Sequence, residues 1–219
     1  MEVKVILCAL FGVFAWFVGC ITVMWWKYHA IKRFMHKSIF LKGKKMLALL
    51  LFVVLGALAG ATFCLYGWMP TKIFKYLVLM YAVLIIAYID GQTHLIPNVI
   101  LAVLFCFRIL VLMIEMFVYP TARMELLANA FGGMMLGFLL FFIAYLISRK
   151  GIGMGDVKLV AVVGFYTGTT VLYAIMILAL VCCVLYSVVQ LIRHKVTTKD
   201  MVAFGPFVAI GTVLALFLG

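Results

Sequence analysis

Eight apolar runs, each parted from the next by a short polar break, constrain this chain more than any other feature of its sequence. A helix needs about 20 residues to cross a hydrocarbon core of about 30 Å. Runs of that order fall at 5–26, 46–68, 73–89, 97–118, 126–148, 157–168, 170–192 and 202–218. The sixth is short and reads as a tilted or partly buried helix. Of the 219 residues 69% are apolar and only 11% charged, too little polar surface to cover a soluble domain. Apolar and polar residues do not alternate in twos, which argues against a transmembrane barrel. Only helices close their backbone hydrogen bonds segment by segment in lipid. The expected fold is therefore all-α, a polytopic transmembrane helix bundle of about eight spanning helices. The first run follows Lys4 as a secretion signal would, but it is too long for a signal's apolar core. Trp25, Trp26 and Tyr28 at its end read as an interfacial aromatic belt.

The net charge of +12 does not gather on one face or tail, so nucleic acid is not an expected partner. The basic residues sit in the breaks, where they set topology. The longest break, 27–45, holds seven of them (Lys27, Lys32, Arg33, Lys37, Lys42, Lys44, Lys45), which predicts a cytoplasmic segment and an external N-terminus. With eight crossings, Arg149, Lys150, Arg193, Lys195 and Lys199 also fall inside, and the outer breaks hold only Lys72 and Arg123 with Lys4 and Lys75 nearby. The basic segment suits anionic lipid head groups at the cytoplasmic face. It is too short for a domain of its own, so 1–219 reads as one membrane domain, with an N-terminal two-helix part at 1–68 and the core at 69–219. The six cysteines (Cys8, Cys20, Cys64, Cys106, Cys182, Cys183) lie inside apolar runs without zinc-ligand spacing. They read as small buried hydrophobes, and neither a metal nor a disulfide framework is expected.

With six acids in the whole chain, each one near lipid needs a reason. Glu2, Glu125 and Asp200 lie in polar breaks. Asp90 sits in Tyr88-Ile89-Asp90-Gly91-Gln92-Thr93-His94-Leu95-Ile96-Pro97-Asn98. Read alone, this is a turn at Asp90-Gly91 with Pro97 near the start of the next helix. Asp156 sits in Lys150-Gly151-Ile152-Gly153-Met154-Gly155-Asp156-Val157-Lys158, where three alternate glycines predict a loop or extended segment open to close approach by another backbone. Taken by itself, Asp156 suits a helix cap as well as it suits catalysis. The charge-derived topology puts Asp90 and Asp156 at the same cytoplasmic edge, where two carboxylates from distant parts of the chain can meet. Lys158 reads as an interfacial anchor or as a group acting on Asp156 or substrate. His94 reads as a solvated loop residue. Arg108 and Glu115, about 10 Å apart along one helix, are too distant for a direct bond and are expected to pair with other helices or to snorkel.

The two aspartate segments together resemble the type IV prepilin peptidases, relatives of intramembrane proteases that carry a Gly-x-Gly-Asp motif. Gly153-Met154-Gly155-Asp156, continued by Val157-Lys158-Leu159, matches that motif. Asp90 followed by Thr93, Ile96, Pro97 and Asn98 resembles the segment around the family's first catalytic aspartate, and Phe204-Gly205-Pro206-Phe207 resembles a further family segment. The resemblance implies a bacterial inner-membrane aspartic endopeptidase without metal or cofactor. Asp90 and Asp156 would be catalytic, Gly153, Met154 and Gly155 would form the active-site loop, and Lys158, Pro97 and Asn98 would give support. It implies as substrates prepilin or pseudopilin precursors, cut after a glycine between a basic leader and an apolar helix. Two adjacent carboxyls do not both ionise easily, so one would keep a proton while the other draws a proton from the attacking water. Bifunctional members carry a cysteine-rich insert after the first helix and methylate the new N-terminus. The break at 27–45 has no cysteine, so methyl transfer is not expected. The rival reading is a small ion-coupled transporter with Asp90 and Asp156 as a relay, although transporter acids lie nearer the midplane on broken helices.

Overall fold

The structure, a computed structural model, describes residues 60, 62, 65–67, 69–148, 152–193 and 203–218. The predicted spans at 5–26 and, for most of its length, 46–68 lie outside these residues, as does the basic segment 27–45. The described residues form helices without a strand: α1 (Pro70–Thr93), α2 (Asn98–Val118), a short 3-10 turn (Pro120–Ala122), α3 (Arg123–Ser148), α4 (Met154–Ile192) and α5 (Gly205–Leu218). Four helical stretches are long and apolar enough to cross a membrane, ending at Thr93, Val118, Ser148 and Ile192. The protein is thus an all-α membrane helix bundle. The last apolar helix is shorter than the predicted 202–218, because Ala203 and Phe204 are not helical and α5 starts at Gly205, one residue before Pro206. A proline in the first turn lacks an N–H that would have no helical partner there anyway.

The chain divides into two compact units, Met1–Tyr81 and Ala82–Gly219, and α1 passes from the first into the second. In the first, the rings of Tyr66 and Tyr76 meet edge-on at 5.3 Å, and the Lys75 ammonium lies 5.2 Å from the Tyr76 ring centre.

The second unit is organised by one bend. α4 would measure about 58 Å if straight, nearly twice a hydrocarbon core. It is broken at Gly168, whose φ of 80° and ψ of −176° lie in a region reserved for glycine. The two predicted spans 157–168 and 170–192 meet at this residue. Beyond it the chain doubles back: a Cβ built on Gly164 would come within 2.9 Å of Leu172, although a straight helix sets those residues about 12 Å apart along its axis.

Glycines bring α3 against the first arm of α4 at backbone distance. A Cβ on Gly133 would lie 2.8 Å from the Gly168 Cα and closer still to the Gly164 carbonyl, and one on Gly137 would lie 2.8 Å from the Val160 carbonyl. Gly133 opposes Gly164 and Gly137 opposes Val160, so the two helices run antiparallel. In lipid, close packing of small residues of this kind replaces the hydrophobic drive that holds soluble helices together. The returning arm packs antiparallel on α5, with Gly211 against the Ile175 carbonyl and Phe207 against Tyr186 at 5.4 Å. Phe165 centres an apolar cluster with Leu112 and Ala130, and its ring also stacks on Phe105 at 5.3 Å. The end of α1 and the starts of α2, α4 and α5 are thereby gathered at one end of this unit.

Replacing Gly168 by Ala forces a side chain into a glycine-only conformation, for about 1–3 kcal/mol, and drives the new Cβ into Asn129. The expected result is a clear fall in apparent melting temperature of the detergent-purified protein, measured by far-ultraviolet circular dichroism.

Candidate active site

The segment after α1 turns later than expected. Asp90 and Gly91 are helical, and α1 runs on to Thr93. Thr93 Oγ1 donates to the Ile89 carbonyl at 2.8 Å, and the His94 N–H donates to the Asp90 carbonyl at 2.8 Å. The reversal falls at His94, whose φ of 52° is left-handed, a conformation that commonly closes helices. Pro97 then caps α2 in extended geometry, φ −71° and ψ 115°, and its carbonyl accepts from Ile100 N–H at 3.2 Å. Asp-Gly did not bend the chain because the following Gln92 and Thr93 continue the helix, and because Pro97 blocks it only several residues on.

α4 also starts earlier than expected, with Met154 and Gly155 already in its first turn. Gly153 is the extended N-cap, φ −79° and ψ 146°. Asp156 at the third helical position reaches back, so that its Oδ2 accepts from the Gly153 N–H at 3.1 Å, one half of a capping box. That contact satisfies a donor which the start of a helix otherwise leaves open, and it is why glycines at 153 and 155 are compatible with a helix here. Asp156 thus does cap its helix, but with one oxygen only. Its other oxygen, Oδ1, is buried and has no hydrogen-bond partner.

Asp90 is buried, with 4% of its surface exposed. Its Oδ2 accepts from the Gly205 N–H at 2.8 Å, at the first residue of α5. A carboxylate at a helix start is favoured both by the open N–H and by the positive end of the helix dipole. Asp90 and Asp156 therefore share a design: each gives one oxygen to a glycine N–H at the start of a helix. Both acids thus stand where α1 ends and α4 and α5 begin. Their neighbours touch. A Cβ on Gly155 would come within 3.0 Å of Ile96, and Lys158 Nζ donates to Asn98 Oδ1 at 3.1 Å, tying the first residue of α2 to the second turn of α4.

Asp90, Asp156, Gly153, Met154, Gly155, Lys158, Pro97 and Asn98 are brought to one end of the second unit. Lys158, read as an anchor or a partner of Asp156, bonds Asn98. The exposed His94 meets Asp90 through its backbone, its N–H donating to the Asp90 carbonyl. Gly205 was marked only by resemblance, and its role as donor to Asp90 had no sequence signal beyond a Gly-Pro pair opening an apolar run. Among the described residues no group of three or more His, Cys, Asp or Glu could hold a metal ion.

A family model for the type IV leader peptidase family matches residues 77–188, about half of the chain, including Asp90 and Asp156. The chain belongs to the type IV leader peptidase family. This family member is 27% identical over 151 residues to the prepilin leader peptidase/N-methyltransferase of Bacillus subtilis, covering 68% of this chain and 57% of the relative. It is 28% identical over 164 residues to the protein of the same name in Burkholderia pseudomallei strain 1026b, covering 75% and 52%. A third such protein, from Dickeya chrysanthemi, is 27% identical over 169 residues, covering 74% and 57%. The chain therefore spans about half the length of the curated relatives it matches. No solved structure matches it.

In this leader peptidase family member a Cβ on Gly205 would lie 2.8 Å from Asp90 Oδ2 and 3.1 Å from Asp90 Cβ, whereas one on Gly91 would meet only Pro206, at 3.8 Å. Gly205→Ala is expected to push the carboxyl off its N–H and to lower the apparent melting temperature by several degrees. A hydrogen bond to a charged group contributes about 1.5–3 kcal/mol. Gly91→Ala is expected to melt within a degree of the parent in the same measurement.

Proposed function

We propose that this protein is an intramembrane aspartic endopeptidase that removes the basic leader of prepilin-like or pseudopilin-like precursors at the cytoplasmic edge of a bacterial inner membrane. The observation that carries the reading is the convergence of Asp90 and Asp156, two acids 66 residues apart, within a chain of a leader peptidase family. In this reading the two carboxyls act as neighbours that do not both ionise easily, so the pair shares one proton.

The ionised member takes a proton from water as that water attacks the scissile carbonyl, while the protonated member gives its proton to the carbonyl oxygen. The resulting diol collapses as the first acid passes its new proton to the departing amine, the C–N bond breaks, and the second acid takes back a proton from the new carboxyl. The Gly153 and Gly205 N–H groups hold one oxygen of each acid in place through this exchange. Asp156 Oδ1, buried and without a protein partner, is the oxygen free to meet the water or the shared proton. The reaction forms no covalent enzyme intermediate. The precursor lies extended across the α4 start, and its apolar helix packs among the spanning helices. A basic leader gains nothing from the basic breaks of this chain, so recognition rests mainly on that apolar helix. The proposal covers leader cleavage and not methyl transfer, because 27–45 lacks the cysteines expected of a bifunctional member.

Removing either member of an acid–base pair forfeits about 10²–10⁴ in rate. Asp90→Asn and Asp156→Asn in purified protein are each expected to cut a pilin-like precursor at less than about a hundredth of the parent rate, followed by gel shift of the precursor. Cleavage at the parent rate by either variant would overturn the proposal.

A further inference from the structure

Arg108 and Glu115 take no part in this chemistry, yet both are buried, each with 2% of its side chain exposed. They bond each other directly, Arg108 Nη1 to Glu115 Oε2 at 2.7 Å. The sequence had set them too far apart, but two long side chains lying along one helix close a gap that their backbones do not. Burying such a pair is expensive, and an apolar pair of similar volume often does at least as well for stability. Its presence here calls for a use.

The use lies at the bend of α4. In an unbroken helix the Phe165 carbonyl would accept from the Thr169 N–H. At Gly168 that ladder is interrupted, and the buried Phe165 carbonyl and the half-buried Thr169 N–H need new partners. The Thr169 N–H donates to Asn129 Oδ1 at 3.0 Å, and the Phe165 carbonyl accepts from Arg108 Nε at 3.0 Å. The guanidinium also lies 5.7 Å from the centre of the Phe165 ring and 5.9 Å from that of Tyr166, whose hydroxyl donates to the Leu104 carbonyl at 2.8 Å.

We infer that Arg108 and Glu115 are positioning residues that lock the bend of α4 and so hold its first arm, with Asp156 at the far end, in register with α2. This rests on the reading of Asp156 as a catalytic group. α2 grips the first arm of α4 at two levels: Asn98 bonds Lys158 beside Asp156, and Arg108 with Leu104 bonds Phe165 and Tyr166 at the bend. Glu115 orients the guanidinium, leaving Nε to face the carbonyl. Without the bonds at the bend, the register of α2 on this arm would rest on Asn98 and Lys158 alone, with Asp156 about 18 Å from the bend along the helix.

The test replaces both charges at once, Arg108→Met with Glu115→Met, so that no lone charge is left buried. Two readouts are taken. Cleavage of a pilin-like precursor by the purified full chain is expected to lose at least tenfold in kcat with KM within twofold of the parent. Spin labels on cysteines introduced at the exposed Met113 and Met154, in a background with the native cysteines replaced, are expected to change from one narrow distance to a broadened distribution. An unchanged narrow distance, or kcat within twofold of the parent, overturns the inference. If the double variant is not recovered folded, Arg108→Lys keeps a cation opposite Glu115 without the Nε–H and is judged by the same two readouts. Asp90→Asn and Asp156→Asn run in parallel separate the two claims: if these still cut, the proposed function fails and the label distance alone decides the role of Arg108.

Discussion

A backbone N–H or C=O in an apolar interior must find its partner within the protein, and this requirement arranges most of what the second unit contains. Helices satisfy it along their length and leave it open at every start and break. This protein has three such openings that matter. At the start of α4 the Gly153 N–H is met by Asp156, at the start of α5 the Gly205 N–H is met by Asp90, and at the bend the Phe165 carbonyl and Thr169 N–H are met by Arg108 and Asn129. The candidate site is built from two of these places.

This gives the acids a double duty. An acid that only capped a helix would be an ordinary structural residue, and an acid left wholly unpaired in the bundle would be costly. Each aspartate avoids both outcomes by bonding a backbone N–H with one oxygen. In Asp156 the second oxygen stays without a protein partner. Glycine at 205 is required by space as well as by chain geometry, since Asp90 occupies the volume a side chain would take.

Much of this was legible in the sequence. Apolar run lengths gave an all-α membrane bundle, and the run boundaries put a break at Gly168 from the disposition of residues alone. Asp90 and Asp156 stood out because so few acids occur among so many apolar residues. Local details were less accessible. Asp90-Gly91 has the composition of a turn, but a glycine is tolerated in a helix that its neighbours continue, and the reversal moved to His94. The alternate glycines at 151, 153 and 155 predicted an extended segment, whereas Asp156 reaches back to Gly153 and the helix starts three residues sooner, at Met154. The ion pair of Arg108 and Glu115 was missed because axial rise measures backbones, not the reach of two long side chains. The bond from Gly205 to Asp90 spans 115 residues and could not be read from local pattern.

The convergence of Asp90 and Asp156 is the claim on which the functional account stands. It is tested most directly by Asp90→Cys with Asp156→Cys in a chain lacking its other cysteines, treated in native membranes with a short thiol-to-thiol crosslinker and read by mass spectrometry of linked peptides. The account predicts an efficient crosslink within one chain, insensitive to protein dilution. Two cysteines that each react with a single-ended thiol reagent and yet form no crosslink would contradict it.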